Sequence, residues 1–313
     1  MTPPRTASRP WGRFATRLNS LAEAPGLLGA ALGAHLCAGE AVRLLVYGPP
    51  WVSLKTEDPA TLLAVTDRRW LIVFDGRDGA ATVAQSDFAD TLLVEISIIL
   101  LYGRLRVEFV AGGQAQSVQI QFNTVMEKLY EEAIQLLLDH TEGPRVAART
   151  QTRDTQLPLE SLPLRFRNAL LKFTPPGRPL RDLAHWPACY AGQRRWFQRE
   201  LAPEAVLALT DRELVLVSDE KTWTWLRVGR DIKFGSVVTY CPLSRLAGFQ
   251  LGRQPPLGTL NVTLRTAHGL SKLAIDFPAE RESDVLGIVE QAGGKTAPAE
   301  TPECYPYGPP SCF

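Results

Sequence analysis

The sequence predicts a mainly β fold of the α+β class, built as two copies of one strand-rich unit, each closed by a helix. Three observations predict it. PATLLAVTDR at Pro59 to Arg68 returns as PEAVLALTDR at Pro203 to Arg212, with six of ten positions identical in an ungapped window. Apolar residues around both segments alternate with polar ones, the period of a half-buried strand. Each strand-rich stretch then switches to helical spacing, over 123–139 and from about 279 to 291. A length of 313 residues suits two domains of roughly 150 residues each.

Taken in order, residues 1–10 are rich in Pro, Arg and Ser, and disorder is expected there. The segment 11–36 reads as helix, a break at Pro25-Gly26, and helix again, with Phe14, Leu18 and Leu21 at helical spacing. Gly29 and Gly33 form a GxxxG that suits close helix packing in a run this short. The first copy spans 37–141. Val42, Leu44 and Val46 alternate up to Gly48-Pro49-Pro50, and Leu62–Thr66 and Trp70–Phe74 form a hairpin turned by Asp67-Arg68. Leu92–Tyr102 is a nearly continuous apolar run with many β-branched residues, hence a buried strand. Leu105, Val107 and Phe109 pair through Gly112-Gly113 with Val118, Ile120 and Phe122. A helix follows over 123–139, with Asn123 or Thr124 as cap, Glu127 at capping-box distance, and an apolar face of Val125, Leu129, Ala133, Leu136 and Leu137.

A polar linker covers 142–158, and the second copy covers 159–293 with a leading helix. Gly177–Pro187 aligns with Gly39–Pro49, and Leu260–Phe277 aligns without gaps to Leu105–Phe122. The second copy therefore differs mainly in loop length, including an insertion with Trp223 and Trp225. Those two tryptophans share one face of a strand, where core packing is expected. The Pro-rich tail 294–313 has little to bury and is expected to be disordered.

Composition excludes several classes. With 34 basic and 33 acidic residues the formal charge is +1, which argues against a nucleic-acid partner, since phosphate contacts need a basic excess. The five cysteines are scattered with no CxxC, so neither a disulfide framework nor a zinc site is expected. Arg5 to Arg17 followed by an apolar run resembles a signal peptide in outline, but Glu23 and Pro25 interrupt it. With no apolar run long enough to span a bilayer, a cytoplasmic protein is expected, with a peripheral place at the membrane as the alternative.

Each copy thus reads as strands, a hairpin carrying an aliphatic-x-x-Thr-Asp-Arg pattern, further strands and one C-terminal amphipathic helix. Leu63, Thr66, Asp67, Arg68 and Arg69 match it in the first copy, and Leu207, Thr210, Asp211 and Arg212 in the second, with Glu213 in place of the second Arg. Ala38-Gly39-Glu40 and Pro176-Gly177-Arg178 approximate the opening Pro-Gly-Glu. This pattern resembles the PH superfold, in particular the bacterial PH-like and GRAM-like domains, over about 36–140 and 174–292. The resemblance implies two partly open β-barrels or sandwiches, each with its helix at one end. It also implies that basic side chains between the first two strands can meet an anionic headgroup.

The chain shows no Walker A, HExxH, GxSxG or strand-associated GxGxxG pattern, and its four histidines stand apart. Cys189 near His185 could pair a thiol with a base, but a cysteine between Trp186 and Tyr190 suits apolar filling better. Thr66, Asp67 and Arg68, like Thr210, Asp211 and Arg212, are read as structural turn residues. The candidate anion or lipid site is Arg194, Arg195, Arg199 and Trp196, since arginine forks grip phosphate oxygens and an indole suits a membrane interface. Residues 160–200 hold eight basic against three acidic side chains, while the first copy has Lys55 in the equivalent place. The expected function is that of a non-catalytic binding or scaffold protein with a protein partner and no cofactor. Peripheral binding to an anionic membrane is the alternative, and an unrecognised enzyme the remote one.

Overall fold

The computed structural model describes residues 12–52, 57–76, 79–141, 159–174, 176–191, 199–219, 235–293 and 296–297. The expectations for residues 1–10, for the linker 142–158, for Trp223 and Trp225, and for the tail beyond Ala297 lie outside them. The chain enters as a short strand β1 (Thr16–Arg17), a 3-10 turn, and helix α1 (Gly26–His35). The helix expected before Pro25 does not form. Thr16 and Arg17 instead lie opposite Tyr47 and Val46, and the Leu18 amide donates to the Leu45 carbonyl at 2.9 Å. Ala15 and Leu18 are buried there, while Phe14, Thr16 and Arg17 are exposed. Gly29 and Gly33 face Ala24 and Leu21 of the turn leading into α1, so the GxxxG seats the helix on its own approach.

The first copy continues with β2 (Val42–Gly48), a small hairpin β3 (Trp51–Val52) and β4 (Glu57–Asp58), then β5 (Thr61–Thr66), β6 (Arg69–Asp75) and β7 (Ala81–Asp87). These form a sheet in the order β1-β2-β5-β6-β7, with β3 and β4 paired separately. Next come β8 (Thr91–Ile99), β9 (Tyr102–Ala111), β10 (Gln114–Asn123) and helix α2 (Glu127–Thr141). The second copy opens with helix α3 (Leu164–Phe173), then β11 (Leu180–Trp186), the pair β12 (Cys189–Ala191) and β13 (Arg199–Ala202), β14 (Ala205–Thr210), β15 (Glu213–Asp219) and β16 (Gly235–Pro242). Strands β17 (Leu246–Gln254), β18 (Leu257–Arg265) and β19 (Leu270–Pro278), helix α4 (Glu282–Gln291) and β20 (Thr296–Ala297) complete it. The order of elements is the same in both copies: four main strands, three more strands, one helix.

The sheets are open, and the two copies are not separate barrels. Strand β8 of the first copy pairs antiparallel with β16 of the second, from Gly235↔Ile99 to Tyr240↔Val94. One seven-stranded sheet results, in the order β10-β9-β8-β16-β15-β14-β11. On one of its faces Val94, Ile96, Leu105, Val107, Val215, Val217 and Val238 join a core with Leu44, Val46, Leu63, Val65 and Trp70 of the first sheet and with α2 and α3. On the opposite face Leu207, Leu209, Leu214 and Cys241 pack with β18, β19 and α4. The first sheet is covered again on its outer side, where Leu28 and Leu32 of α1 meet Leu62, Ala64, Leu71 and Val73. Strands β5 and β14, the two repeated segments, are buried at every residue because both of their faces are covered.

Three further expectations change. The run Leu92–Tyr102 is not one strand: β8 ends at Ile99, and Leu100 and Leu101 form an exposed turn, 64% and 65% accessible. Helix α2 begins at Glu127 and buries Tyr130, Ala133, Ile134, Leu137 and Leu138, one position on from the expected face. Asn123 Oδ1 caps the preceding 3-10 turn through the Val125 amide at 3.0 Å, while Glu127 turns to Lys172 of α3 at 2.6 Å. The tail is not wholly without structure, since Thr296 and Ala297 pair in parallel with Phe249 and Gln250 on the side of β17 away from β18.

Equivalent packing recurs where geometry is tightest. Gly103 lies across from Phe122, and Gly258 from Phe277; a Cβ on either glycine would sit 2.3 or 2.5 Å from the ring. Gly103→Ala and Gly258→Ala are each expected to lower unfolding free energy by about 1–3 kcal/mol through overpacking, measured by urea denaturation. The shared sheet gives a second expectation. Residues 12–141 and 159–313 expressed apart should aggregate, and should co-purify as one folded complex when co-expressed; two independent, cooperatively melting monomers would contradict it.

Candidate functional site

The repeated Thr-Asp-Arg segments build the same turn twice. Thr66 Oγ1 accepts from the amides of Arg68 and Arg69 at 3.1 and 3.0 Å, and Thr210 Oγ1 from those of Arg212 and Glu213 at 3.1 and 2.8 Å. The threonine, rather than the aspartate, therefore holds the turn amides. Asp67 instead accepts from the Ala41 amide at 3.1 Å, tying the hairpin to the start of β2.

Behind each turn lies an ion pair whose sign is reversed between the copies. In the first, Arg69 on the hairpin grips Glu40 ahead of β2 with Nε and Nη2, at 3.0 and 2.9 Å. In the second, Glu213 on the hairpin meets Arg178 ahead of β11. The threonine hydroxyl follows the acid: Thr66 donates to Glu40 and Thr210 to Glu213, both at 2.8 Å. Three of the four side chains are almost wholly buried, and Arg69 is 16% exposed. Hydrogen bonds from Arg69, Cys37 and Thr66 outweigh burial and hold the Glu40 carboxyl down to about 2. The swap was legible by aligning Gly39-Glu40 with Gly177-Arg178 and Arg69 with Glu213, columns that motif matching alone treats as imperfect.

The predicted anion site is not brought together by any described contact. Arg194, Arg195 and Trp196 lie outside the described residues, and Arg199 opens β13 by its backbone. The basic excess around them is partly spoken for. Arg165 pairs with Glu204 and Asp219, Lys172 with Glu127, and Arg178 with Glu213 and Asp139. His185 bonds Glu204 at 3.0 Å, and burial pushes the Cys189 thiol up, away from thiolate. Among the described residues no group of three or more His, Cys, Asp or Glu could hold a metal ion.

A site that motif reading passed over lies at the mouth of the first copy. A cavity of about 300 Å³ is lined by Pro49, Asp58, Pro59, Thr61, Phe74 and residues 119–121 of β10. The ends of β2 and β6 and the start of β5 form one wall, and the middle of β10 forms the other. Asp58 is placed there by the β3–β4 hairpin, in which it lies opposite Trp51. Its Oδ2 is buried without a hydrogen-bond partner among the described residues, and burial raises the pKa of the carboxyl. Gln119, Gln121 and Thr61 add amides and a hydroxyl, while Phe74, Ile120 and the two prolines are apolar. Such a cavity can receive an apolar stem ending in a hydrogen-bond donor. The nearest sequence signal was the acidic pair Glu57-Asp58 beside Lys55, in the loop equivalent to the basic one of the second copy.

No protein-family model matches the chain, and no curated protein matches it.

The reversed pairs generate a charge-swap test. Glu40→Arg and Arg69→Glu alone should each cost about 3–5 kcal/mol, by leaving like charges together in a buried place. The double variant, which installs the sign of the second copy, should recover most of that loss in urea denaturation. Because the Glu40 pKa is depressed, its contribution is complete above the ordinary value of 4.5 and fades toward about 2. The stability gap between wild type and Glu40→Gln should close over that window.

Proposed function

We propose that this is a non-catalytic binding protein, made of two PH-like repeats joined edge to edge, that acts by engaging a protein partner. The PH-like reading draws support from the repeated order of four strands, three strands and a helix, with the Thr-Asp-Arg hairpin at the same place in both copies. The observation that carries the functional reading is the mouth cavity of the first copy. Asp58 is the single titratable group among the described lining residues, which otherwise supply amides, a hydroxyl and apolar side chains. General acid–base or nucleophilic chemistry needs at least a second group placed to take or orient a proton, whereas recognition needs only one polar anchor in an apolar frame. The membrane reading rests on the arginines at 194, 195 and 199.

Cross-linking of the intact chain in an extract of its source cells, followed by mass spectrometry, tests the choice. Protein cross-links to the residues around the first-copy mouth are expected, weakened by Asp58→Asn. Sedimentation with vesicles containing anionic lipid, abolished by changing Arg194, Arg195 and Arg199 to Ala, would favour the membrane instead.

A further inference from the structure

Strand β10 is an end strand of the seven-stranded sheet. It pairs with β9 in an unshifted register over ten residues, Gln114↔Ala111 to Asn123↔Tyr102, and with no other described strand. An open edge offers a row of amides and carbonyls to any extended chain, and native proteins blunt such edges with charge, proline, bulges or shortness. β10 uses none of these. Its sequence QAQSVQIQFN contains no charged residue and no proline. Its counterpart β19, also an end strand, does carry them: Lys272, Asp276 and Pro278 occupy the columns held in β10 by Ser117, Gln121 and Asn123. The same strand is guarded in one copy and bare in the other.

The bare edge adjoins the Asp58 cavity, whose β10 wall is Gln119, Ile120 and Gln121. Ile120 points to the core side of the sheet. A strand added about 4.8 Å beyond β10 would send every second side chain to that same side. One such side chain would enter between Phe74, Pro49 and Pro59, with the Asp58 carboxyl among the groups that line the cavity. Apolar walls match an aliphatic stem, and the one acidic group among the described lining residues matches a cationic tip.

Resting on the protein-binding reading above, we propose that the β10 edge and the Asp58 cavity form one docking site for an extended segment of a partner protein. The segment adds to the sheet as a further strand and places a lysine or arginine side chain against Asp58. Backbone pairing supplies affinity, and the cavity supplies the preference for a basic residue at one position.

The test uses the full chain and two capped heptapeptides of alternating valine and threonine, one with a central lysine and one with norleucine there, read by fluorescence anisotropy. The lysine peptide is expected to bind about tenfold tighter than the norleucine peptide, as one charge-assisted hydrogen bond allows. Asp58→Asn should erase that preference. Ser117→Lys with Gln121→Asp, which copies the guards of β19 into β10, should abolish binding of both peptides; Gln116→Lys serves if that pair disturbs folding. Equal binding of the two peptides to wild type, no binding, or binding that survives the guarded edge overturns the proposal. So does a wild-type dimer that the guarded edge converts to monomer, since a second copy would then be the occupant. If protein cross-links from cell extract persist in the guarded variant, the protein-binding reading stands and its surface lies elsewhere; if none form in wild type, that reading itself fails.

Discussion

Antiparallel pairing between β8 and β16 is the constraint on which the rest of the structure depends. Six residue pairs join the second sheet of the first copy to the first sheet of the second copy. Because a sheet sends alternate side chains to opposite faces, this seam lets one set of strands serve two cores. Val238 and Tyr240 of β16 look toward the core shared with the first copy, and Cys241 toward β17 to β19 and α4. Other contacts depend on the seam for their geometry. Arg245, in the turn after β16, donates to the carbonyls of Thr91 and Phe88 at 3.1 Å and of Thr141 at 3.3 Å, all in the first copy. Those carbonyls compensate in part for a guanidinium whose burial pushes its pKa down. His268 reaches Asp90 at 2.8 Å from the β18–β19 turn. Helix α3 spans the junction, with Lys172 on α2 and Arg165 on Glu204 and Asp219.

A duplicated chain folded this closely meets the problem of telling its own copies apart. The hairpins β5–β6 and β14–β15 pair in the same way, and β5 and β14 are buried alike. Their ion pairs are not. Were the segment before β2 to seat against the hairpin of the second copy, Glu40 would face Glu213; the reciprocal error would set Arg178 against Arg69. Two like charges in a buried place cost far more than either correct pair contributes. The charge reversal thus sets a penalty against exchanging the two hairpins. The threonine is spared any change because its hydroxyl can donate to an acid on either side.

Local periodicity made most of the fold legible. Strands β2, β5, β6, β9, β10 and β18, the helix α2 and the duplication all follow from alternation, helical spacing and one ten-residue repeat. What was not legible depended on partners distant in sequence. Phe14, Leu18 and Leu21 suit a helix taken alone, and only the edge of β2 makes Thr16–Arg17 a strand. Strand β7, ATVAQSD, has weak alternation and is ordered by β6 on one side and α1 above it. The shared sheet left no local mark at all, since β8 and β16 would read as buried strands whatever lay beside them. The mouth cavity was hidden for a related reason: Asp58 shares it with Gln119 and Gln121, residues that in sequence are merely part of the polar half of an alternating strand.

Comparison of the two copies separates what packing requires from what the surroundings decide. The glycine and phenylalanine that interlock across β9–β10 and β18–β19 are the same in both, and the ring leaves no room for a Cβ on the glycine. The Thr-Asp-Arg turn is the same because its hydroxyl has a geometric task. Charge at the end strands is under no such constraint, and there the copies part: Lys272, Asp276 and Pro278 in one, Ser117, Gln121 and Asn123 in the other. Fusion used one edge from each copy, β8 and β16, and left β10 and β11 as the ends of the common sheet. β11 carries a register shift between Leu180 and Asp182, with Arg181 at the irregularity, so it is blunted in the ordinary way. β10 alone ends that sheet straight, uncharged and beside the cavity that Asp58 lines. An unguarded edge is a liability in a protein with no use for it, which is why its position next to Asp58 carries more weight than either feature would alone.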